Sequence, residues 1–361
     1  MHRRWLGLAQ ELESHALEAL LVTGGENRYY LTGFDGSAGV AVMTKASAHL
    51  IVDSRYAEQA KQQAVDCEII AAGQDLKTAL PEVIDQLDVK RLGFESQHMT
   101  VAEHARWQKT VGQLDWVPVE NVVENLRMIK DPDELAVMHR AAQLADAAFR
   151  EVLPTIRSGR TEADIALDLE FCMRRRQADG VSFPLIIASG LRSALPHGRA
   201  SDKRLKAGEF VTVDFGARYQ HYCSDATRTL ILGTPDRRQQ DVYDTVLRAQ
   251  EAALKVLGPG ITGREADQAA RTVIDDAGFG RYFGHGLGHG LGLAVHEAPR
   301  LSPTHGETVL QPGMVVSVEP GIYIPGWGGV RIEDVIVITE TGYDCLTGLN
   351  KELVVNHDDF E

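Results

Sequence analysis

Cysteine is scarce and scattered. Cys67, Cys172, Cys223 and Cys345 are the only four, and no two stand in a C-x-x-C spacing. That argues against a disulfide framework and a thiolate zinc site, and it suits free thiols in a reducing compartment. Long apolar runs are missing as well: nothing reaches the roughly 18 residues of a membrane span. At the N-terminus, MHRRWLGLAQELESHALEALLV opens on basic residues, but Gln10, Glu11 and Glu13 interrupt its apolar stretch. No signal-peptide core forms there, and the expected location is the cytoplasm. Positive charge is in deficit, with 37 Lys and Arg against 51 Asp and Glu, a formal net charge of −14. A general nucleic-acid binder shows the opposite balance. Neither a nucleic acid nor a membrane is an expected partner.

What is present is ordinary for a globular protein: 361 residues, 44% hydrophobic and 24% charged. That length suits two domains. The first part alternates helix and strand. Trp5 to Ala19 reads as a helix. ALLVTG, VAVMT, HLIVDS and RLGFE read as short strands, and ALPEVIDQL and AEHARWQKTV as helices. This is an α/β domain over residues 1–122. A boundary follows, and residues 123–361 form the larger second domain. Its first helix is signalled by Asp131 as cap, Pro132 in the first turn and Glu134 completing a capping box. A second helix is expected from Thr161 to about Gln177.

The second domain carries an internal repeat. KAGEFVTVDFG (Lys206 to Gly216) matches QPGMVVSVEPG (Gln311 to Gly321), and Glu162-Ala163-Asp164 matches Glu265-Ala266-Asp267 upstream. Each half reads as a helix, a glycine-containing loop and a strand with a carboxylate. Strand alternation puts Thr212 with Asp214, and Ser317 with Glu319, on shared faces. Each half then supplies a second acid, Asp225 in YCSDATRTLIL and Glu333 in GVRIEDVIVIT. The expectation is two hairpin-like pairs with inward acids. Four converging acids are costly unless they are protonated or bind cations. With an imidazole they form a hard donor set suited to Mn²⁺, Fe²⁺ or Co²⁺, and to two ions that share carboxylates.

The imidazoles sit in FGHGLGHGLGLAVHEAP, where His285 and His289 stand among the glycines from Gly284 to Gly292 and His296 follows. His285 and His289 are spaced as on a zinc-binding helix, but so much glycine makes a helix costly. HEAPR lacks the second histidine of H-E-x-x-H. The glycines suit backbone that turns sharply or packs closely. His197, in ALPHGRASDK, is a further candidate.

VDFGARYQHYCSDATRT, GHGLGHGLGLAVHE, SVEPGIYIPG and GVRIEDV resemble the motifs of the pita-bread metallopeptidases, peptidase family M24. NRYYLTGFDGSAG and IVDSRYAEQA resemble the N-terminal domain of its proline-specific branch, and the layout is most similar to short bacterial Xaa-Pro aminopeptidases. The resemblance implies a creatinase-like α/β domain followed by a pseudo-two-fold catalytic domain, an α/β (α+β) chain. It implies Asp214 as a ligand of one metal, His289 and Glu319 as ligands of the other, and Asp225 and Glu333 as bridges. The two divalent ions would be Mn²⁺ first, with Co²⁺, Fe²⁺ or Zn²⁺ as alternatives, and they would hold a bridging hydroxide. His296 would contact the substrate carbonyl, His197 the leaving-group side, and Glu319 would move the proton. His285, Arg331 and Tyr323 would line a pocket for proline. The activity implied is release of the N-terminal residue from peptides with proline second. The alternative is an Xaa-Pro dipeptidase, or prolidase, with the same site. Methionine aminopeptidase does not explain residues 1–122, and a non-catalytic binding module or a metal-free creatinase-like hydrolase does not explain five retained ligands. The resemblance further implies a homodimer, with Asp53, Arg55 and Tyr56 either reaching a neighbouring site or forming a local turn.

Overall fold

The computed structural model describes residues 2–73 and 75–356. They divide into two compact units, one ending at Arg127 and the other beginning at Met128.

The first unit is built on six strands, β1 (Ala19–Val22), β2 (Val40–Thr44), β3 (Ala48–Asp53), β4 (Glu68–Ala72), β5 (Arg91–Glu95) and β6 (Asp115–Val119), in the order β4-β3-β2-β1-β5-β6. Six helices accompany them: α1 (His2–Ser14), α2 (Gly25–Thr32), α3 (Ala57–Gln63), α4 (Leu80–Gln86), α5 (Val101–Val111) and α6 (Val122–Met128). The apolar β1 run is wholly buried, and Leu21, Val42, Ile51 and Leu92 pack with Leu80 and Trp107. Helix α1 stops five residues short of the expected Ala19, because Ala16 turns into the left-handed region at φ 52° and Ala19 is taken by the sheet. Strands β4 and β6 carry no clear alternation in the sequence. They are recruited by parallel pairing with β3 and β5 at the sheet edges.

The second unit repeats one device twice. Its first half has α7 (Pro132–Val152) and α8 (Glu162–Arg175), then β7 (Gly180–Val181), β8 (Ile186–Ser189), β9 (Phe210–Phe215), β10 (Ala217–Tyr219), β11 (Tyr222–Cys223) and β12 (Ala226–Leu232). Its second half has α9 (Arg237–Val256) and α10 (Gly263–Asp276), then β13 (Gly288–Gly290), β14 (Glu297–Leu301), β15 (Val315–Val318), β16 (Gly321–Ile324), β17 (Gly328–Arg331), β18 (Asp334–Ile338), β19 (Tyr343–Cys345) and β20 (Val354–Asn356). Helix α7 starts where the sequence signals it: the Asp131 side chain accepts from the Glu134 amide at 2.9 Å, and the Glu134 carboxylate accepts from the Asp131 amide at 3.0 Å.

Helices α8 and α10 both begin at a threonine capping box, Thr161 with Asp164 and Thr262 with Glu265. Strands β8, β9 and β12 run antiparallel in that order, and β13, β15 and β18 do the same. Each half has its own apolar core, one around Ile165, Leu169, Val213 and Phe215, the other around Val246, Ala270, Val316 and Ile336.

The halves meet where β12 begins and β18 is about to begin. The Glu333 amide donates to the Thr227 carbonyl at 3.1 Å. Arg228 staples this seam: Nη1 donates to the carbonyls of Thr227 (2.9 Å) and Glu333 (2.6 Å), and Nη2 to Asp334 Oδ1 (2.7 Å). All of these groups are buried, so the guanidinium and its acceptors satisfy one another. Among the described residues no helix is long and apolar enough to cross a membrane.

Candidate active site

The four acids sit at strand ends around the seam. Asp214 lies within β9, Asp225 directly precedes β12, Glu319 directly follows β15 and Glu333 directly precedes β18. Three of them therefore occupy the turns where strands enter or leave, not the strand interiors the alternation suggested. That placement brings acids from both halves together, because β12 and β18 approach only at their starting ends. A cavity of about 1280 Å³ opens over them, and every residue named above for ligation, catalysis or substrate contact lines it.

The glycine-rich stretch folds as strand β13, not as a helix. Gly288 and Gly290 flank His289 and pass between two neighbouring strands. A Cβ on Gly288 would stand 2.0 Å from the Ser317 carbonyl oxygen, and one on Gly290 would stand 2.1 Å from the Ala298 carbonyl oxygen. Only glycine lets the backbone carry His289 that close to β15 and β14. The His289 amide donates to Ser317 Oγ at 3.0 Å, and Nδ1 lies 3.0 Å from its acceptor, the Gly290 carbonyl. Nε2 then faces the acids, 3.2 Å from Glu319 Oε1 and 3.9 Å from Asp225 Oδ2.

Electrostatics favour a cation among these groups. Burial pushes Asp225 well above the usual carboxylate range, and the charges of Glu333, Asp214 and Glu319 push it the same way. Burial raises Glu333 too, helped by Glu319 and Asp214, and raises Asp214 against the opposing pull of Arg331. Glu319 goes the other way: burial works to raise it, but the His289 hydrogen bond and charge override that and lower it. Four such acids cannot all be ionised without positive charge among them. Asp214 Oδ1 and Asp225 Oδ1 are buried and have no hydrogen-bond partner among the described residues. One ligand atom each from Asp225, His289 and Glu333 lie within 4.8 Å of one another. With Nδ1 donating to Gly290, His289 can turn an Nε2 lone pair to a metal. The donor set, four carboxylates and one imidazole, fits divalent ions of the hard to borderline class.

One guanidinium ties the cavity wall together. Arg331 Nη2 donates to Asp214 Oδ2 at 2.6 Å, Nη1 to the Tyr323 hydroxyl at 2.8 Å and the Pro196 carbonyl at 3.1 Å, and Nε to Thr227 Oγ1 at 3.0 Å. Tyr323 in turn lies 3.1 Å from His285 Nε2, and His285 Nδ1 lies 2.7 Å from the Gly286 carbonyl. Both ring nitrogens of His285 are thus engaged, and what it offers the cavity is the ring itself. His296 packs edge-on against His289, with ring centroids 4.4 Å apart. Burial, then the His289 and Arg300 charges, bring His296 down to about 4, so it is neutral near pH 7. His197 is exposed in the cavity.

Arg300 was not singled out in the sequence. It stands opposite His289 in the β13–β14 ladder and lines the cavity, with no side-chain hydrogen bond or ion pair among the described residues. Thr227 was missed as well, although it stands two residues after Asp225, the same spacing that paired Thr212 with Asp214. Asp53 and Arg55 pair with each other at 2.7 Å in the turn that leads to α3.

The family model for metallopeptidase family M24 matches residues 136–340, and that for the creatinase/prolidase N-terminal domain matches residues 4–129. The chain is 47% identical over 339 residues to the uncharacterized peptidase YqhT of Bacillus subtilis, covering 94% of this chain and 96% of that one. Among solved structures, an Xaa-Pro dipeptidase from Bacillus anthracis superposes with a TM-score of 0.95 at 43% identity, over 98% of this chain and 99% of that one. An X-Pro aminopeptidase from Thermotoga maritima superposes with a TM-score of 0.90 at 38% identity, over 96% and 99%.

Proposed function

This chain belongs to metallopeptidase family M24, and from that premise we propose that it is an Xaa-Pro dipeptidase that binds its substrate's C-terminal carboxylate at Arg300. The Arg300 guanidinium, which lines the cavity without a side-chain hydrogen bond or ion pair among the described residues, carries the reading. A free dipeptide places a carboxylate one residue beyond the scissile bond, and a guanidinium binds carboxylates strongly through paired hydrogen bonds. On this reading the sequence-based order of preference, aminopeptidase before dipeptidase, is reversed.

Asp214, Asp225, His289, Glu319 and Glu333 would hold two divalent ions, with Mn²⁺ the first choice on donor chemistry. Bound there, such ions lower the pKa of water and polarise the scissile carbonyl. The remaining work falls to side chains. Glu319, whose Oε1 accepts from Ser317 Oγ, is the carboxylate we assign to take a proton from the attacking water. The same proton is returned to the proline nitrogen as the C–N bond breaks, so that proline leaves as a neutral secondary amine. His296, neutral near pH 7, offers an N–H to the carbonyl oxygen as negative charge grows on it. His197, exposed in the same cavity, would contact the leaving proline residue. The His285 and Tyr323 rings suit the proline ring, whose amide nitrogen has no hydrogen to satisfy.

An aminopeptidase acting on longer peptides is the second reading. It is favoured by the cavity volume of about 1280 Å³, above the roughly 300–1,000 Å³ typical of small-ligand sites. Metal-stripped protein, reloaded with Mn²⁺ and offered Ala-Pro, Ala-Pro-Ala and Met-Ala-Ser, separates the two. Efficient cleavage of Ala-Pro with slow release from Ala-Pro-Ala is the expected outcome. Preference for Ala-Pro-Ala moves the assignment to aminopeptidase. Cleavage of Met-Ala-Ser alone would overturn the proline pocket.

A further inference from the structure

We propose that Thr227 is a positioning residue for the metal centre, its hydroxyl fixing which oxygen of Glu333 is left to bind metal. The inference rests on the proposed metal-dependent reading of the site.

Thr227 is fully buried beside the seam. Its Oγ1 lies 3.0 Å from Arg331 Nε and 2.6 Å from Glu333 Oε2. A guanidinium can only donate, so the Arg331 N–H occupies a lone pair of the threonine oxygen. The threonine's single proton therefore points to the other neighbour, Glu333 Oε2. Oε2 thus spends a lone pair on the threonine, whereas no hydrogen bond holds Oε1 among the described residues, so Oε1 is the less encumbered oxygen for a metal. Arg331 also donates to Asp214 Oδ2, while Asp214 Oδ1 has no partner among the described residues. A single cation thus holds one oxygen of Asp214 directly and one oxygen of Glu333 through Thr227. The two acids come from opposite halves of the repeat.

The second half contains the same device in another form. Ser317 Oγ accepts from the His289 amide at 3.0 Å and donates to Glu319 Oε1 at 3.0 Å. Here too an obligate donor fills the hydroxyl's acceptor side, so the hydroxyl proton goes to the glutamate. One buried hydroxyl from each half therefore sets a glutamate, Thr227 acting on Glu333 across the seam and Ser317 on Glu319. Partners that orient a ligand in this way commonly alter metal affinity by 10–100-fold when removed.

The test is calorimetric titration of Mn²⁺ into metal-stripped full-length protein, for wild type, Thr227→Val and Thr227→Ser, with unfolding midpoints of the metal-free proteins as the folding control. Wild type is expected to take up two ions. Thr227→Val, which keeps the shape and removes the hydroxyl, is expected to bind one of them 10–100-fold more weakly. Thr227→Ser is expected to match wild type. Should Thr227→Val not fold, Thr227→Ala against Thr227→Ser makes the same comparison. Wild-type affinity in a folded variant that lacks the hydroxyl overturns the inference, as does an equal loss in Thr227→Ser. A wild-type protein that takes up no Mn²⁺ would instead overturn the metal centre on which the inference rests.

Discussion

Arg300 and His289 stand directly opposite each other across the β13–β14 ladder, so one strand pair presents an imidazole to the acids and a guanidinium to the cleft. The register of that ladder sets the distance between the reacting centre and the group that would read the end of the substrate.

Removing the guanidinium should therefore act on binding. Arg300→Met is expected to raise KM for Ala-Pro by roughly ten- to a hundredfold, in line with the ~1.5–3 kcal/mol of a hydrogen bond to a charged group. The rise should be much smaller for Ala-Pro amide, which has no carboxylate. Steady-state kinetics on both substrates check this; an equal effect on the two would remove Arg300 from carboxylate recognition.

Asp225 should trade apo stability for metal binding. Burial and three neighbouring acids oppose its charge. Metal-free Asp225→Asn is expected to unfold at or above the temperature of metal-free wild type. Added Mn²⁺ should raise the wild-type midpoint, by the equivalent of about 2.7 kcal/mol at a hundredfold excess over Kd, and leave the variant almost unmoved. Thermal unfolding with and without Mn²⁺ measures both. A variant stabilised by metal as strongly as wild type would count against Asp225 as a ligand.

Gly288 tolerates no side chain. Gly288→Ala places a Cβ against the Ser317 carbonyl oxygen, where no flexible group can yield. A loss of about 1–3 kcal/mol or more is expected, as for other overpacked sites, and His289 should be displaced with it. Denaturant unfolding and Mn²⁺ uptake report the two effects separately. Gly284→Ala is the control, since nothing lies within 4 Å of its added Cβ.

In the first unit, His98 and Glu124 should give a pH-dependent contribution to stability. His98 Nε2 lies 2.8 Å from Glu124 Oε1, which also accepts from Asn27 at 2.6 Å. Burial works to raise Glu124, but the His98 and Asn27 hydrogen bonds override it and bring it down to about 2 from 4.5. The Glu124 hydrogen bond raises His98 above 6.5, against the pull of burial. The Glu124 contribution is thus present above pH 4.5 and lost as pH falls towards 2. The His98 contribution is present below pH 6.5 and lost as pH rises past the raised folded value. His98→Gln should lower the unfolding midpoint most near pH 5.5, by the equivalent of about 1 kcal/mol or less for a partly exposed pair. A gap that widens above about pH 8 contradicts this assignment.

Much of the fold can be read locally. Asp131 with Glu134 starts α7 because a capping box needs only residues three apart. The matched strands β9 and β15, and the matched helices α8 and α10, are visible as a repeat. Edge strands β4 and β6 are not, because their pairing partners, rather than their own pattern, make them strands. Helix α2 went unread for a related reason: NRYYLTG was visible as a motif, but its short turn of helix, ended by Gly33 at φ 77°, carries little apolar periodicity.

The chemistry divides along the same line. Residue type and spacing pointed to Asp214, Asp225, Glu319 and Glu333 with an imidazole, the family resemblance picked His289 among the histidines, and the glycines argued against a helix around it. Tertiary structure decided which atoms of that set are free. Arg331, more than a hundred residues away, holds Asp214 Oδ2 at 2.6 Å (|i−j| = 117), while Oδ1 has no hydrogen-bond partner among the described residues. Thr227 faces Glu333 only because the two halves meet at the start of β12 and β18 (|i−j| = 106). Arg300 reaches the cleft only through the β13–β14 register. A hydrogen bond depends on positions within a few tenths of an ångström, and distances of that order between distant segments are set by packing.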